Sequence, residues 1–238
     1  MREEIYQLWN LSIPEFRVLL QAARIPGIYG MKLPEELTDK EIAQAVYRLT
    51  QRGILKVKQN RFLLEAFWME MLEYLKCPEQ VLFFESREKS EFCFQREKNL
   101  YLSQTEAENV QIGFLEMEAL ADRILEHTGI DSEVVSEEDD RSGRMKNDEE
   151  KWLREERTRM FEEILSEEEA FLSEKKLVFL AGKSSGGGQA VRPQIAVGHH
   201  PFFYYLMYQR EEEELKVEEY SEEKLRNLLL EMMKGEHR

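Results

Sequence analysis

Only two cysteines, Cys77 and Cys93, occur in the 238 residues. They are too few for a disulfide framework or, by themselves, for a structural zinc site, so two free, packed thiols are expected. No stretch approaches the roughly 18 consecutive apolar residues of a membrane-crossing helix. Met1-Arg2-Glu3-Glu4 carries neither the basic start nor the apolar run of a secretory leader. The expectation is a cytoplasmic protein without a membrane partner. Positive charge is also short: 33 Lys and Arg stand against 48 Asp and Glu, a formal charge of −15 that repels duplex DNA at long range.

Motifs that carry chemistry are missing as well. Ala181-Gly182-Lys183-Ser184 invites comparison with a phosphate-binding loop, but the pattern G-x-x-x-x-G-K-[ST] needs glycine where Leu177 stands, and Ser185-Gly186-Gly187-Gly188 reads as a continuing loop, not as the start of a helix. His199-His200 precede Pro201 at an expected turn, and His127 and His237 fall near helix ends, so no metal-ligand spacing exists. With 48 carboxylates, proximity of two arises by chance and singles out no acid/base pair. There is no G-x-S-x-G elbow. No catalytic, cofactor-binding or metal-binding residue is assigned, and a non-enzymatic protein is expected.

What is present is amphipathic order, with 42% hydrophobic residues available for a core. Ser12-Ile13-Pro14-Glu15 has the spacing in which a hydroxyl and a carboxylate satisfy each other's orphan amides, and it opens a helix through Phe16, Leu19, Leu20 and Ala23 that Pro26-Gly27 stops. Thr38-Asp39-Lys40-Glu41 repeats the signal before Ile42, Ala45, Val46 and Leu49, and Gly53 ends that helix. Ile54 to Lys58 and Phe62 to Leu64, separated by Gln59-Asn60-Arg61, read as a hairpin. Two helices and a two-stranded wing make residues 1–64 a winged-helix-like segment. A helix over 65–76 follows and ends at Cys77-Pro78.

Beyond Pro78 short strands are expected at Val81–Glu85, Glu91–Arg96, Leu100–Gln104 and Val110–Phe114, antiparallel because the gaps are too short for helical crossovers. A helix with Met117, Leu120, Ala121, Ile124 and Leu125 on one stripe closes that half. Residues 131–149 are dominated by carboxylates and read as an acidic flexible linker. A long amphipathic helix over 150–174, strands at Leu177–Leu180, Gln194–Val197, Phe202–Tyr208 and Leu215–Glu219, and a last helix capped by Ser221 complete the chain. The order helix, antiparallel meander, helix thus occurs in 65–130 and again in 150–238. The expected fold class is α+β: the winged-helix-like segment followed by two pseudo-twofold-related halves in one compact body.

Two surfaces are candidates for binding. Phe202 to Tyr208 is the most apolar run and should be a central strand; Phe202, Tyr204 and Tyr205 are its candidate partner-binding residues, since aromatic side chains commonly anchor interfaces. Between residues 32 and 61, Lys32, Lys40, Arg48, Arg52, Lys56, Lys58 and Arg61 outnumber Glu35, Glu36, Asp39 and Glu41 by three. That local charge gives the alternative: a winged-helix transcriptional regulator holding DNA through Arg48, Arg52, Lys56 and Lys58, although winged helices also dock proteins.

The opening Ser12 to Leu20, the helix end Tyr47-Arg48-Leu49-Thr50-Gln51-Arg52-Gly53-Ile54, the strand Val81 to Phe84 after Cys77-Pro78, and the closing run Leu225 to Met232 resemble the EspG family of cytosolic chaperones of ESX, or type VII, secretion. The resemblance spans nearly the whole chain and is one of architecture and hydrophobic pattern. It implies a pseudo-twofold α+β fold and the binding of a helical protein partner, a secretion substrate kept soluble until export. The acidic stretch 131–150 and the glycine-rich stretch 182–188 depart from the family pattern.

Overall fold

The computed structural model describes residues 7–28, 31, 33–59, 61–86, 89–105, 109–128, 130, 147–166, 177–185, 192–201, 203–209 and 214–234. Most of the acidic linker, the glycines 186–188 and Phe202 lie outside the described residues. The chain divides into two compact units, one of Met1–Phe83, Glu88–Leu120 and Ser184–Ala190, the other of Phe84–Arg87, Ala121–Lys183 and Val191–Arg238.

In the first unit, β1 (Trp9–Ser12) leads into α1 (Ile13–Ala22) and then α2 (Asp39–Gln51). Both helices open on the capping boxes that their sequences spell. The Ser12 backbone N–H donates to Glu15 Oε2 at 2.7 Å and that of Thr38 to Glu41 Oε2 at 2.8 Å, while the hydroxyls accept from the Glu15 and Glu41 amides. Both helices also close alike. Ile25 N–H donates to Leu20 O and Arg24 N–H to Gln21 O after α1; Ile54 N–H donates to Leu49 O and Gly53 N–H to Thr50 O after α2. This closure needs a left-handed residue just past the helix, supplied by Gly53 at φ 72° and, against the usual preference, by Arg24 at φ 60°.

The wing is β2 (Leu55–Lys58) and β3 (Arg61–Leu64), and α3 (Ala66–Lys76) follows at once. Then β4 (Gln80–Ser86), β5 (Lys89–Gln95), β6 (Asn99–Thr105) and β7 (Asn109–Leu115) form an antiparallel meander, with β1 added beyond β7 in the register Leu11 opposite Val110. The sequence pattern shows no strand at β1. Phe16, Leu19 and Leu20 of α1, Leu49 of α2, Trp68 and Met71 of α3, and Phe92, Leu100 and Ile112 of the sheet share one core. At about 1.5–3 kcal/mol for each fully buried large apolar side chain, this shared burial holds helices, wing base and sheet together.

The helix α4 (Met117–Glu126) begins at the end of this sheet. In the second unit α5 (Asn147–Ser166) starts three residues earlier than its apolar pattern suggests, and residues 167–174 of the expected helix lie outside the described ones. The strands β8 (Leu177–Ser185), β9 (Arg192–His200), β10 (Phe203–Tyr208) and β11 (Lys216–Glu219) form a second antiparallel meander, and α6 (Glu222–Lys234) follows. Gly182 and Lys183 extend β8 opposite β9, where a loop is expected, because backbone pairing with Pro193 and Arg192 continues past Ala181. The α+β class is as expected, with helices leading, sheet between and a helix closing.

Candidate functional site

Groups that carry chemistry elsewhere are placed in the interior or singly. Cys93 is buried, and desolvation pushes its thiol far above the ordinary range, which leaves it unreactive, whereas Cys77 is exposed rather than packed. Glu91 is buried and accepts a hydrogen bond from the Tyr101 hydroxyl. Among the described residues no group of three or more His, Cys, Asp and Glu is arranged to hold a metal ion, and no helix is long and apolar enough to cross a membrane.

Two surfaces, one in each unit, carry apolar or aromatic side chains that are not fully covered: a half-buried tyrosine on the β9–β10 hairpin of the second and exposed residues of the wing in the first. In the second, the β9–β10 hairpin pairs Gly198 with Tyr205, His199 with Tyr204 and His200 with Phe203. Successive side chains of a strand point to opposite faces. One face of β10 carries Phe203, Tyr205 and Met207 into a core with Met160, and Phe161 of α5 meets the Phe203 and Tyr205 rings at 6.3 and 6.5 Å. Arg157 of α5 lies 5.2 Å over the Phe203 ring and is ion-paired with Glu219.

The opposite face carries Tyr204, half-buried, whose ring lies 4.7 Å from that of His199 and 6.2 Å from that of Tyr220. The Tyr220 hydroxyl is shifted upward, first by burial and then by the Glu222 carboxylate, so it stays a neutral donor in ordinary buffers. Nearby on the same face, Lys224 sits 5.4 Å over the Tyr208 ring, and its hydrogen bond to Glu218 raises the ammonium above the usual lysine range.

In the first unit the wing is two-faced. Leu55 stands opposite Leu64 and Val57 opposite Phe62, so these four share one face; Lys56 opposite Leu63 and Lys58 opposite Arg61 share the other. The inner pair enters the core, with Leu55 buried and Leu64 packed against the cluster. The outer pair continues the same apolar row past the core's edge, leaving Val57 59% and Phe62 58% exposed. Leu63 is also exposed.

The predicted site residues are dispersed by this arrangement. Tyr205 is a core residue, 3% exposed, because the face it occupies is the one that α5 covers; Tyr204 is the one with an open side, and Phe202 lies outside the described residues. Of the four cations considered for DNA, Arg52 lies 3.7 Å from Glu15 and 5.7 Å over the Trp9 ring, and Lys56 Nζ is 3.1 Å from Glu65 Oε1. Arg48 and Lys58 are exposed. The open apolar pair Val57 and Phe62 was missed from the sequence. Its only signal is that the strand's apolar alternation continues out to the turn at Gln59, past the pair Leu55 and Leu64.

No family model matches this sequence, and no curated protein matches it. A solved structure does: the Mycobacterium tuberculosis type VII secretion system chaperone EspG5, in complex with a PE25-PPE41 dimer, matches with a TM-score of 0.58 over 95% of this chain and 95% of its own. The chain has the fold of EspG5. Sequence identity over that match is 9%, so the likeness is one of fold. The likeness covers the order of elements from the capped helix α1 to the closing helix α6.

Proposed function

We propose that this protein is a cytoplasmic, non-enzymatic chaperone or adaptor that binds a helical protein partner, of the class formed by type VII-like secretion substrates. The observation that carries the reading is the near full-length fold likeness to EspG5, a chaperone solved with a PE25-PPE41 dimer bound. The order of elements supports it: α3, meander and α4 are followed by α5, meander and α6, an order in keeping with the duplication that resemblance to the EspG family implies.

Surface chemistry supports a polypeptide rather than nucleic acid. Apolar side chains exposed at the wing gain nothing from phosphates, whereas a partner helix buries them at about 25 cal/mol per Å². Arg52 and Lys56 are engaged with carboxylates of the same chain. In the second unit, the open side of Tyr204 between His199 and Tyr220 is the proposed aromatic contact.

The test is recovery of the tagged protein from its own cytosol after nuclease treatment, followed by mass spectrometry. Stoichiometric co-purification of a small, helix-rich secreted protein is expected. Recovery of DNA-dependent complexes only, or of no polypeptide, contradicts the reading.

A further inference from the structure

We propose that the wing β2–β3 is a docking site for an acidic amphipathic helix of a protein partner, with Val57 and Phe62 as apolar contacts on one face of the hairpin and Lys58 and Arg61, adjacent to them beside the turn on its other face, as the charged rim. The inference rests on the protein-binding reading above and names the surface and the partner's chemistry.

Geometry makes the first half of the case. Val57 and Phe62 are directly opposed across the hairpin, on the face whose inner pair Leu55 and Leu64 belongs to the core. They are more than half exposed, so their burial is left to something outside this unit's own packing. A row of apolar side chains rooted in a rigid core holds its outer members in place before a partner arrives, which lowers the entropy lost on binding.

Charge selects the occupant. Residues 55–64 carry Lys56, Lys58 and Arg61 and no carboxylate, within a chain of net charge −15. Lys56 is paired with Glu65, while Lys58 and Arg61 have no acidic partner among the described residues. At physiological salt, charges interact over about 8 Å, so an acidic helix is drawn to this local cationic patch and turned away elsewhere. An anionic lipid surface, broad and flat, meets the net negative charge of the whole chain and is the weaker fit.

The experiment uses fluorescein-labelled synthetic helices with leucine at the a and d positions of each heptad and alanine elsewhere, except that e and g are glutamate in one and lysine in the other. Binding to the full chain is read by fluorescence anisotropy. The glutamate helix is expected to bind, and Val57→Ser with Phe62→Ser is expected to weaken it about tenfold, as loss of apolar anchors does at interfaces. Lys58→Glu with Arg61→Glu is expected to reverse the preference toward the lysine helix. Both double variants change exposed residues, and circular dichroism checks that they remain folded.

Equal binding of the two helices, or binding of the glutamate helix unchanged by the wing variants, overturns the proposal. If Tyr204→Ala alone weakens that binding, the wing assignment fails while the protein-binding reading stands. If the intact chain binds neither helix, both fail. Two further outcomes also overturn the wing proposal: binding to phosphatidylglycerol vesicles alone, and self-association in sedimentation, lost in Phe62→Ser, without helix binding.

Discussion

The guanidinium of Arg52, the residue that caps the C-terminal end of α2, lies 3.7 Å from Oε2 of Glu15, the carboxylate that closes the capping box at the start of α1. Glu15 is 4% exposed and also accepts from the Ser12 backbone N–H and hydroxyl, at 2.7 and 3.0 Å. One buried carboxylate therefore satisfies a helix start and ties it to the end of the next helix. Arg52 completes the contact from above the Trp9 ring.

Removing the carboxylate should cost more than removing the cation. Glu15→Ala leaves the part-buried Ser12 amide and hydroxyl without their acceptor and is expected to destabilise by about 1–2 kcal/mol. Arg52→Ala removes an ion pair whose cationic side is about one-third exposed, at a cost of at most about 1 kcal/mol. Urea denaturation of the two single variants and the double checks both the order and the coupling.

Arg24 occupies the left-handed position that Gly53 holds after the following helix, and its side chain is exposed. Arg24→Gly relieves the close approach of Cβ to the carbonyl and should stabilise by about 1 kcal/mol, while Gly53→Ala should destabilise by a similar amount. The midpoint in urea should move in opposite directions for the two variants, with the slope unchanged.

A side chain at position 198 would overlap the Tyr205 ring, which lies across the strand pair directly over Gly198. Gly198→Ala is expected to destabilise by about 1–3 kcal/mol. Combining it with Tyr205→Leu should recover part of the loss, a result that thermal melts of the three variants reveal. If Gly198→Ala is neutral, Tyr205 is not held where the core of this unit places it.

The second capping box predicts a pH dependence. The Thr38 hydroxyl and then its backbone amide lower the Glu41 carboxyl below its ordinary value of 4.5. A carboxylate depressed in the folded state adds stability above the unfolded value and loses it as pH falls through the folded one. Glu41→Gln should therefore be less stable than the parent at pH 7, and the difference should close as the pH drops below 4.5. A gap that persists at the acid end assigns the loss to something other than ionisation.

Local grammar was legible in the residues. Ser12 with Glu15, Thr38 with Glu41, and Gly53 announce helix ends through bonds made within a few residues, and the alternation in 55–64 announces the wing. The strand Trp9–Ser12 was not legible. It is four residues long, only Leu11 among them is buried, and its pairing partner lies about a hundred residues away at Asn109–Ile112. The candidate site was legible as aromatic content but not as exposure. Tyr204 and Tyr205 are equivalent in composition, and only the docking of α5 on one face of β10 sends Tyr205 inward. For Val57 and Phe62, nothing within the hairpin shows that the core ends at Leu55 and Leu64.

The central claim is that this chain carries a helical protein partner, and quantitative recovery of partners from native cytosol tests it most directly. The tagged protein, purified after nuclease treatment and resolved by size-exclusion chromatography with mass spectrometry, should elute with a small helix-rich secreted protein at fixed stoichiometry. Elution of the chain without any polypeptide, together with retention on DNA that Arg48→Glu and Lys58→Glu abolish, would contradict the account and leave the wing as a nucleic-acid reader.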